Sequence, residues 1–250
     1  MSGTPLTDAI NALTTYANEI TGQSDTTLSD AVESLVDGYG GGGGGLSFAD
    51  YCDGLVNGTL ETIVDNSITK FPPNTRLFYG QTSLKSVSFN ALTSFEGSDY
   101  MFRNCSNLES ASFPVLAKLG QSSSYFEGCS KLTSIDFKTA NNGYIGSNMF
   151  KNCSLLAFAD LGAPSVRING GAFNGCSSLK TVVIRKDNSV LPLNNIDAFS
   201  NSPFDSGGTG GTLYVPQSLI SSYQSASNWS TILGYTNNSI KKIEGSIYEI

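Results

Sequence analysis

The sequence predicts a solenoid of short parallel strands, because one motif returns along the chain at a nearly fixed interval. The motif has a phenylalanine, a cysteine three residues later, a serine directly after the cysteine, and a leucine two residues after the serine. Its complete copies are FRNCSNL from Phe102, FEGCSKL from Phe126, FKNCSLL from Phe150 and FNGCSSL from Phe173. Self-similarity at a fixed period of about 20–50 residues is the signature of repeat architectures.

Two incomplete copies flank these. FYGQTSL begins at Phe78 and has Gln81 in place of the cysteine, and FSNSPF begins at Phe199 and has Ser202 near the position of a last one. The leucines that close successive copies are separated by 24, 24, 24 and 23 residues and are Leu84, Leu108, Leu132, Leu156 and Leu179. The repeats are therefore predicted to extend over residues 78–205.

Each of these leucines begins the pattern L-x-x-φ-x-φ, which is the strand template of leucine-rich repeats. Alternation along a strand puts Val87 and Phe89 on one face and Ser86 and Ser88 on the other. Stacked coils then form a parallel sheet with apolar columns inside, and short strands or 3₁₀ turns are expected at the back of each coil. The outward columns are Ser86, Ser110, Ser134, Phe158, Thr181 and Ser88, Ser112, Asp136, Asp160, Val183.

With this motif in front of the strand, residues 78–205 resemble the BspA-like leucine-rich repeat family over about half of the chain. The resemblance implies that cysteine and phenylalanine fill the interior, where other leucine-rich repeats place an asparagine ladder. The matching residues are Phe102, Phe126, Phe150, Phe173, Cys105, Cys129, Cys153 and Cys176. The tail V-P-x-x-L-x-x-x-Y from Val215, followed by Trp229, looks like the C-terminal cap of BspA-like proteins from bacteriophages and prophages.

Residues 1–38 are predicted to form two short helices, with Thr4 and Pro5 at the start of the first and Gly38 after the second. Apolar residues at spacings of three and four form a stripe typical of a coiled-coil seam. The stripe is Leu6, Ile10, Leu13, Ala17, Ile20, Leu28, Val32 and Leu35. Two heptads are too short to stand alone in water. We therefore expect this module to self-associate, to bind a partner, or to pack only on its own second helix.

The next segments are predicted from their composition and their place. Residues 39–45 contain a run of six glycines, which favours neither helix nor strand and is interpreted as a hinge. Residues 46–77 carry apolar side chains without a clean repeat, and we expect them to cap the first coil, since a solenoid needs capping at its ends.

A second cap is predicted over residues 206–250. Its expected elements are a strand at Thr212–Val215, a helix from Pro216 to about Trp229, and a final strand around Ile240–Ile243, for which an extension to Tyr248 is the longer alternative.

The charge is unevenly distributed. Residues 1–69 contain ten acidic and no basic residues, whereas the remainder has 14 basic and 11 acidic residues, and the total is −7. An acidic leader argues against nucleic acid or an anionic membrane as its target. No secretory signal and no apolar stretch of 18 residues is present, so synthesis in the host cytoplasm without membrane insertion is expected.

Four of the five cysteines recur with the repeat, so they are predicted to form one column of buried free thiols. Disulfides between coils are an alternative, although strands about 4.8 Å apart slightly exceed the usual Cβ separation of about 3.5–4.5 Å. A metal site is a third reading, but no histidine and no C-x-x-C spacing accompanies the thiols.

No catalytic residue, metal site or cofactor is predicted. The chain has no histidine, which removes the commonest general base and the histidine-dependent nucleophilic arrangements. Asp136 and Asp160 are expected to be neighbours on the outer face, at a separation that does not exclude a glycosidase pair or weak calcium binding. An open sheet offers no cleft to shift their pKa, so a solvated charged face is the favoured interpretation.

Phe158 stands out because its column otherwise holds serine and threonine. It could stack on a sugar ring or anchor a protein partner, or its exposure could be incidental or reflect contact with another subunit. The candidate binding surface is Ser134, Asp136, Phe158, Asp160 and Thr181.

Taken together, these features favour a non-enzymatic bacteriophage virion protein. The helices would bind other virion proteins or further copies of the chain, and the solenoid would bind a host surface protein or glycan. A bacterial cell-surface or secreted BspA-like adhesin and an intracellular scaffold are the alternatives. The sequence does not identify the ligand, the number of copies, or the part of the virion to which the chain attaches.

Overall fold

The structure is a computed structural model that describes residues 60–66, 68–71, 78–96, 99–121 and 123–249. The helical module predicted over residues 1–38, with its apolar stripe, lies outside the described residues. So do the predicted hinge at 39–45 and most of the predicted cap at 46–77, including Cys52.

The described residues form a solenoid of about seven turns, so the predicted fold class is confirmed. The described residues contain eight strands, and every pairing within the two sheets is parallel. The strands are β1 (Thr62–Asp65), β2 (Ser86–Phe89), β3 (Ser110–Ser112), β4 (Ser134–Asp136), β5 (Phe158–Asp160), β6 (Thr181–Val183), β7 (Thr212–Val215) and β8 (Ser239–Lys242).

The sheet extends beyond the repeated motif at both ends. β1 lies inside the predicted N-terminal cap, and it pairs with β2 in the register Thr62 to Ser86. Leu60 stands 24 residues before Leu84, so the strand template is present except that Asp65 takes its last apolar position, and Gly54 and Asn57 stand where the motif has phenylalanine and cysteine. β7 and β8 continue the sheet within the predicted C-terminal cap.

The strands divide into a three-stranded sheet, β1–β3, and a five-stranded sheet, β4–β8. At this break the backbone of Thr133 donates to the carbonyl of Glu109 over 3.4 Å. At the back of the coils, an isolated bridge joins Lys118 to Asn142 across the break, and another joins Ser94 to Lys118 on one side of it. Of the two predicted forms of the back, short strands are replaced by single-residue bridges, because apolar residues three apart, such as Leu92 and Phe95, cannot share one face of a strand. Turns with bonds between residues three apart are present, as from the backbone of Leu92 to the carbonyl of Phe89.

Phenylalanine rings form a continuous stack through the core. Adjacent ring centroids along the column are 5.0, 5.4, 5.6, 5.2 and 5.2 Å apart, with interplanar angles of 4° to 14°. All the rings are buried, and they belong to Phe78, Phe102, Phe126, Phe150, Phe173 and Phe199. The phenylalanine of the motif is therefore the residue through which each coil packs on the next.

The cysteine and serine of the motif also bond from coil to coil. The thiols of Cys105, Cys129, Cys153 and Cys176 donate to the carbonyl of the motif phenylalanine in the preceding coil, at 2.8 to 3.1 Å. The serine hydroxyls donate likewise, for example from Ser130 to the carbonyl of Ser106 at 3.2 Å. The four cysteines are free and buried, so the predicted thiol column is confirmed.

The residue before each cysteine position has a positive φ, which explains why it is glycine or asparagine. The two types alternate strictly along the column: Gly80, Asn104, Gly128, Asn152, Gly175, Asn201. A Cβ on Gly128 would lie 2.5 Å from the side-chain oxygen of Asn104. The asparagine of one coil therefore occupies the space that the glycine of the next coil leaves.

The C-terminal cap is built from a 3₁₀ helix at Gln217–Leu219, α1 (Ile220–Ser225), α2 (Trp229–Leu233) and β8. The single helix predicted from Pro216 to Trp229 is wrong, because the chain leaves the helix at Ala226 and Asn228 has a φ of 64°. The side chain of Asn228 donates to the carbonyl of Leu193, which holds this break against the last repeat. The final strand ends at Lys242 and does not reach Tyr248.

Burial raises the pKa of Cys105 and of Cys176 to about 12 and raises that of Cys129 and Cys153 well above the usual value. At pH 8 these thiols are protonated, and the thiolate is the form that reacts. We expect iodoacetamide to leave all four unmodified in the native chain and to modify them in urea, as measured by peptide mass spectrometry. Modification of the native thiols at rates that match the unfolded chain would contradict their burial.

Candidate functional site

The outer face of β1–β4 is open and lined by small side chains. Its outward residues, all exposed or partly exposed, are Thr62, Val64, Ser86, Ser88, Ser110, Ser112, Ser134 and Asp136, and Val64 is 48% exposed. We call this set the open face. The hydroxyl of Ser86 donates to that of Thr62 in the neighbouring coil over 3.1 Å. The strand backbone fixes the spacing of these hydroxyls, since the coils pair in register.

Polar pairs border the open face at both ends of the strands. Lys85 and Glu61 form an ion pair of 2.7 Å at one end, and Asn90 donates to Asn66 over 2.6 Å at the other. The carboxylate of Asp136 accepts from the backbone of Lys138 at 2.9 Å. The surface is therefore polar but carries little unbalanced charge.

The outer face of β5–β7 is covered by the residues that follow β8. We call Gly245–Glu249 the C-terminal strap. Its Tyr248 ring stacks on Phe158 with centroids 5.4 Å apart and meets Tyr214 edge-on at 4.7 Å. Val183, an outward residue of β6, is fully buried. The strap thus covers the part of the face where outward side chains are large or apolar.

Asp160 does not lie in solvent, contrary to the predicted solvated pair with Asp136. It is 2% exposed, and its carboxylate contacts the guanidinium of Arg185 at 2.6 and 2.9 Å. Arg185 also donates to the backbone carbonyl of Tyr248 at 2.8 Å, so the ion pair holds the strap in place. A glycosidase pair or a calcium site would require two accessible carboxylates, whereas the carboxylate of Asp160 is buried and paired with Arg185.

The structure divides the predicted binding surface. Ser134 and Asp136 belong to the open face, whereas Phe158 lies against the strap and Asp160 lies in the ion pair. Thr181 is partly exposed on β6, next to Phe158 in the register. That these five residues bind a ligand together stays a prediction.

Sequence reasoning missed the strap. Tyr248 and Arg185 are outside the repeated motif, so no periodicity marks them. One signal was present: Phe158 is a lone aromatic residue among serine and threonine, and a contact with another part of the protein is one way to bury such a ring. The structure supplies the cover from the same chain.

The described residues contain no group of three or more histidine, cysteine, aspartate or glutamate side chains that could hold a metal ion. Their thiols, the usual soft ligands and nucleophiles, are buried and bonded to backbone carbonyls. None of the described helices has the length and apolarity needed to cross a membrane.

A family model for the BspA type leucine rich repeat region matches residues 74–205 in six copies. The chain belongs to this family. The match includes every copy of the motif, complete or incomplete, and it indicates a repeat protein of the surface or adhesion type. BspA-type solenoids are typically non-catalytic. No curated protein matches the chain.

We expect Arg185→Met to lower the free energy of unfolding by about 3–5 kcal/mol, because it leaves the Asp160 carboxylate buried without its partner. The matched control is Lys85→Met, which breaks the exposed pair with Glu61 and is expected to cost less than about 1 kcal/mol. Urea denaturation of both variants measures the difference. Equal losses would show that Asp160 is not a buried, paired charge.

Proposed function

We propose that the chain is a non-enzymatic bacteriophage structural protein that displays its BspA-type solenoid for adhesion or host recognition. In this proposal it is a virion component made in the host cytoplasm. Residues 1–38 attach it to other virion proteins or to further copies of itself, and the solenoid contacts a surface protein or a glycan of the host.

The observation that carries the display function is the contrast between the two faces of the sheet. The inward columns are fully occupied by coil-to-coil packing, while β1–β4 present an open face whose residues are serine and threonine apart from Val64 and Asp136. Interior residues of a solenoid are fixed by packing, so its outer surface is free to serve as a binding surface. The family match to surface and adhesion repeats supports the same role.

Support for attachment comes from the sequence. An acidic stretch with a coiled-coil-like stripe precedes six glycines and then the solenoid, an order that suits an assembly handle, a hinge and a displayed domain. Several copies held together would raise the strength of a weak single contact by avidity. The family match suits a bacterial surface adhesin as well, and this is the second candidate.

We expect the full chain to be an oligomer by light scattering, and the pair of substitutions Ile10→Asp and Leu13→Asp to make it monomeric. The control pair Asn11→Asp and Thr15→Asp adds the same charge on the opposite side of the predicted helix and is expected to leave the mass unchanged. A monomeric wild-type chain would contradict self-association.

The virion placement is tested separately. Particles purified from the strain that encodes the chain are expected to contain its peptides by mass spectrometry. Peptides found in the cell envelope and missing from the particles would favour the adhesin instead.

A further inference from the structure

A cluster at the edge of the first coils is separate from the open face and from the strap. The guanidinium carbon of Arg103 lies 5.3 Å from the centroid of the Tyr100 ring and 6.0 Å from that of the Tyr79 ring. Both tyrosines are partly exposed. Such distances are typical of cation–π contacts, so the two rings and the guanidinium form one surface. We call Tyr79, Tyr100 and Arg103 the aromatic patch.

Polar groups fix the arginine within this patch. Its Nε lies 3.2 Å from one carboxylate oxygen of Glu127, and its Nη2 donates to the other at 3.3 Å. The amide of Asn104 donates to the hydroxyl of Tyr79 over 3.4 Å. The patch therefore combines two rings with planar donors and acceptors, and the charge of Arg103 is balanced by that of Glu127.

The backbone of Tyr100 has a left-handed conformation, which is unfavourable for a bulky side chain. Its φ is 62°, and the equivalent residues of the next three coils, also at positive φ, are Ser124, Asn148 and Gly171. Small or amide side chains tolerate this region, whereas a bulky residue there is an outlier. Backbone outliers of this kind concentrate at functional sites, because the surrounding fold must hold them.

Tyr100 differs in its exposure from the aromatic residues of the neighbouring core. The large aromatic residues of the neighbouring core, such as Phe95 and Tyr125, are fully buried, whereas Tyr100 stays partly exposed. Tyr79 belongs to a variable column, whose next members are Arg103, Glu127 and Lys151. The two partly exposed rings lie beside the same guanidinium, which points to a role at the surface.

We propose that the aromatic patch binds a neutral saccharide. The apolar face of a sugar ring stacks on tyrosine, and its hydroxyls both donate and accept, as the guanidinium, carboxylate and amide groups here require. The balanced charge disfavours phosphorylated or nucleic-acid ligands. Tyrosine and arginine are also common in protein hot spots, which lie in fully desolvated pockets of a complex. Among the described neighbours of this patch are polar groups that a sugar can leave hydrated: Asn104 bonds Tyr79, and the backbone of Ser123 bonds both Tyr100 and Asp99.

This site goes beyond the display function, because it assigns a ligand class without depending on how residues 1–38 attach the chain. The test is native electrophoresis of the full chain in gels that contain soluble dextran, hydroxyethyl cellulose, starch, mannan or galactomannan. At least one polysaccharide is expected to retard the wild-type chain. Tyr79→Ala and Tyr100→Asn are expected to weaken that retardation at least tenfold.

Two measurements separate binding from folding. Tyr144→Ala removes another partly exposed tyrosine, whose ring lies 5.3 Å from the guanidinium carbon of Arg167, and it is expected to leave retardation unchanged. Tyr100→Asn is expected to melt no lower than the wild-type chain, because asparagine suits a positive φ.

Three outcomes would overturn the proposal. A lower Tm for Tyr100→Asn would show that the ring of Tyr100 stabilises the fold by packing. An equal loss of retardation in Tyr144→Ala would show that the effect is not specific to the aromatic patch. A wild-type chain that none of the five polysaccharides retards would point to a protein partner for the patch.

Discussion

Contact between successive coils through one column of residues is the constraint on which the rest of the solenoid depends. Each coil adds a phenylalanine ring to the stack, and its cysteine and serine donate to carbonyls of the coil before it. A single coil buries none of these groups by itself, so the coils are stable only as a stack. The alternation of glycine and asparagine before the cysteine follows from the same close approach.

The fold could be predicted because the motif encodes its own contacts. The phenylalanine and cysteine positions of the motif, such as Phe126 and Cys129, recur once in each coil. The sequence therefore shows which side chains will contact one another in adjacent coils. The broken helix at Asn228 could not be read in this way, since its cause is a bond to Leu193 far along the chain. The same limit applies to the outer face: Phe158 was recognisable as unusual, but the strap that covers it through Tyr248 follows no period.

The outward positions of the repeat vary in residue type, so they are available for binding functions. Positions that face inward are restricted to the residues that stack, and positions that face outward vary from coil to coil. Under the strap the outward residues include Phe158, Val183 and Tyr214, whereas those of the open face are serine and threonine apart from Val64 and Asp136. Tyr100 departs from its own column in the same way, and its positive φ is visible only in the structure.

The most direct test of the stacking account is the free energy of unfolding of Phe126→Ala beside Leu155→Ala. Phe126 lies between Phe102 and Phe150, at 5.4 and 5.6 Å, whereas Leu155 is half-exposed. Urea denaturation is expected to show a loss of about 3–5 kcal/mol for the phenylalanine and less than about 1 kcal/mol for the leucine. Losses of similar size would contradict the claim that the ring column holds the coils together.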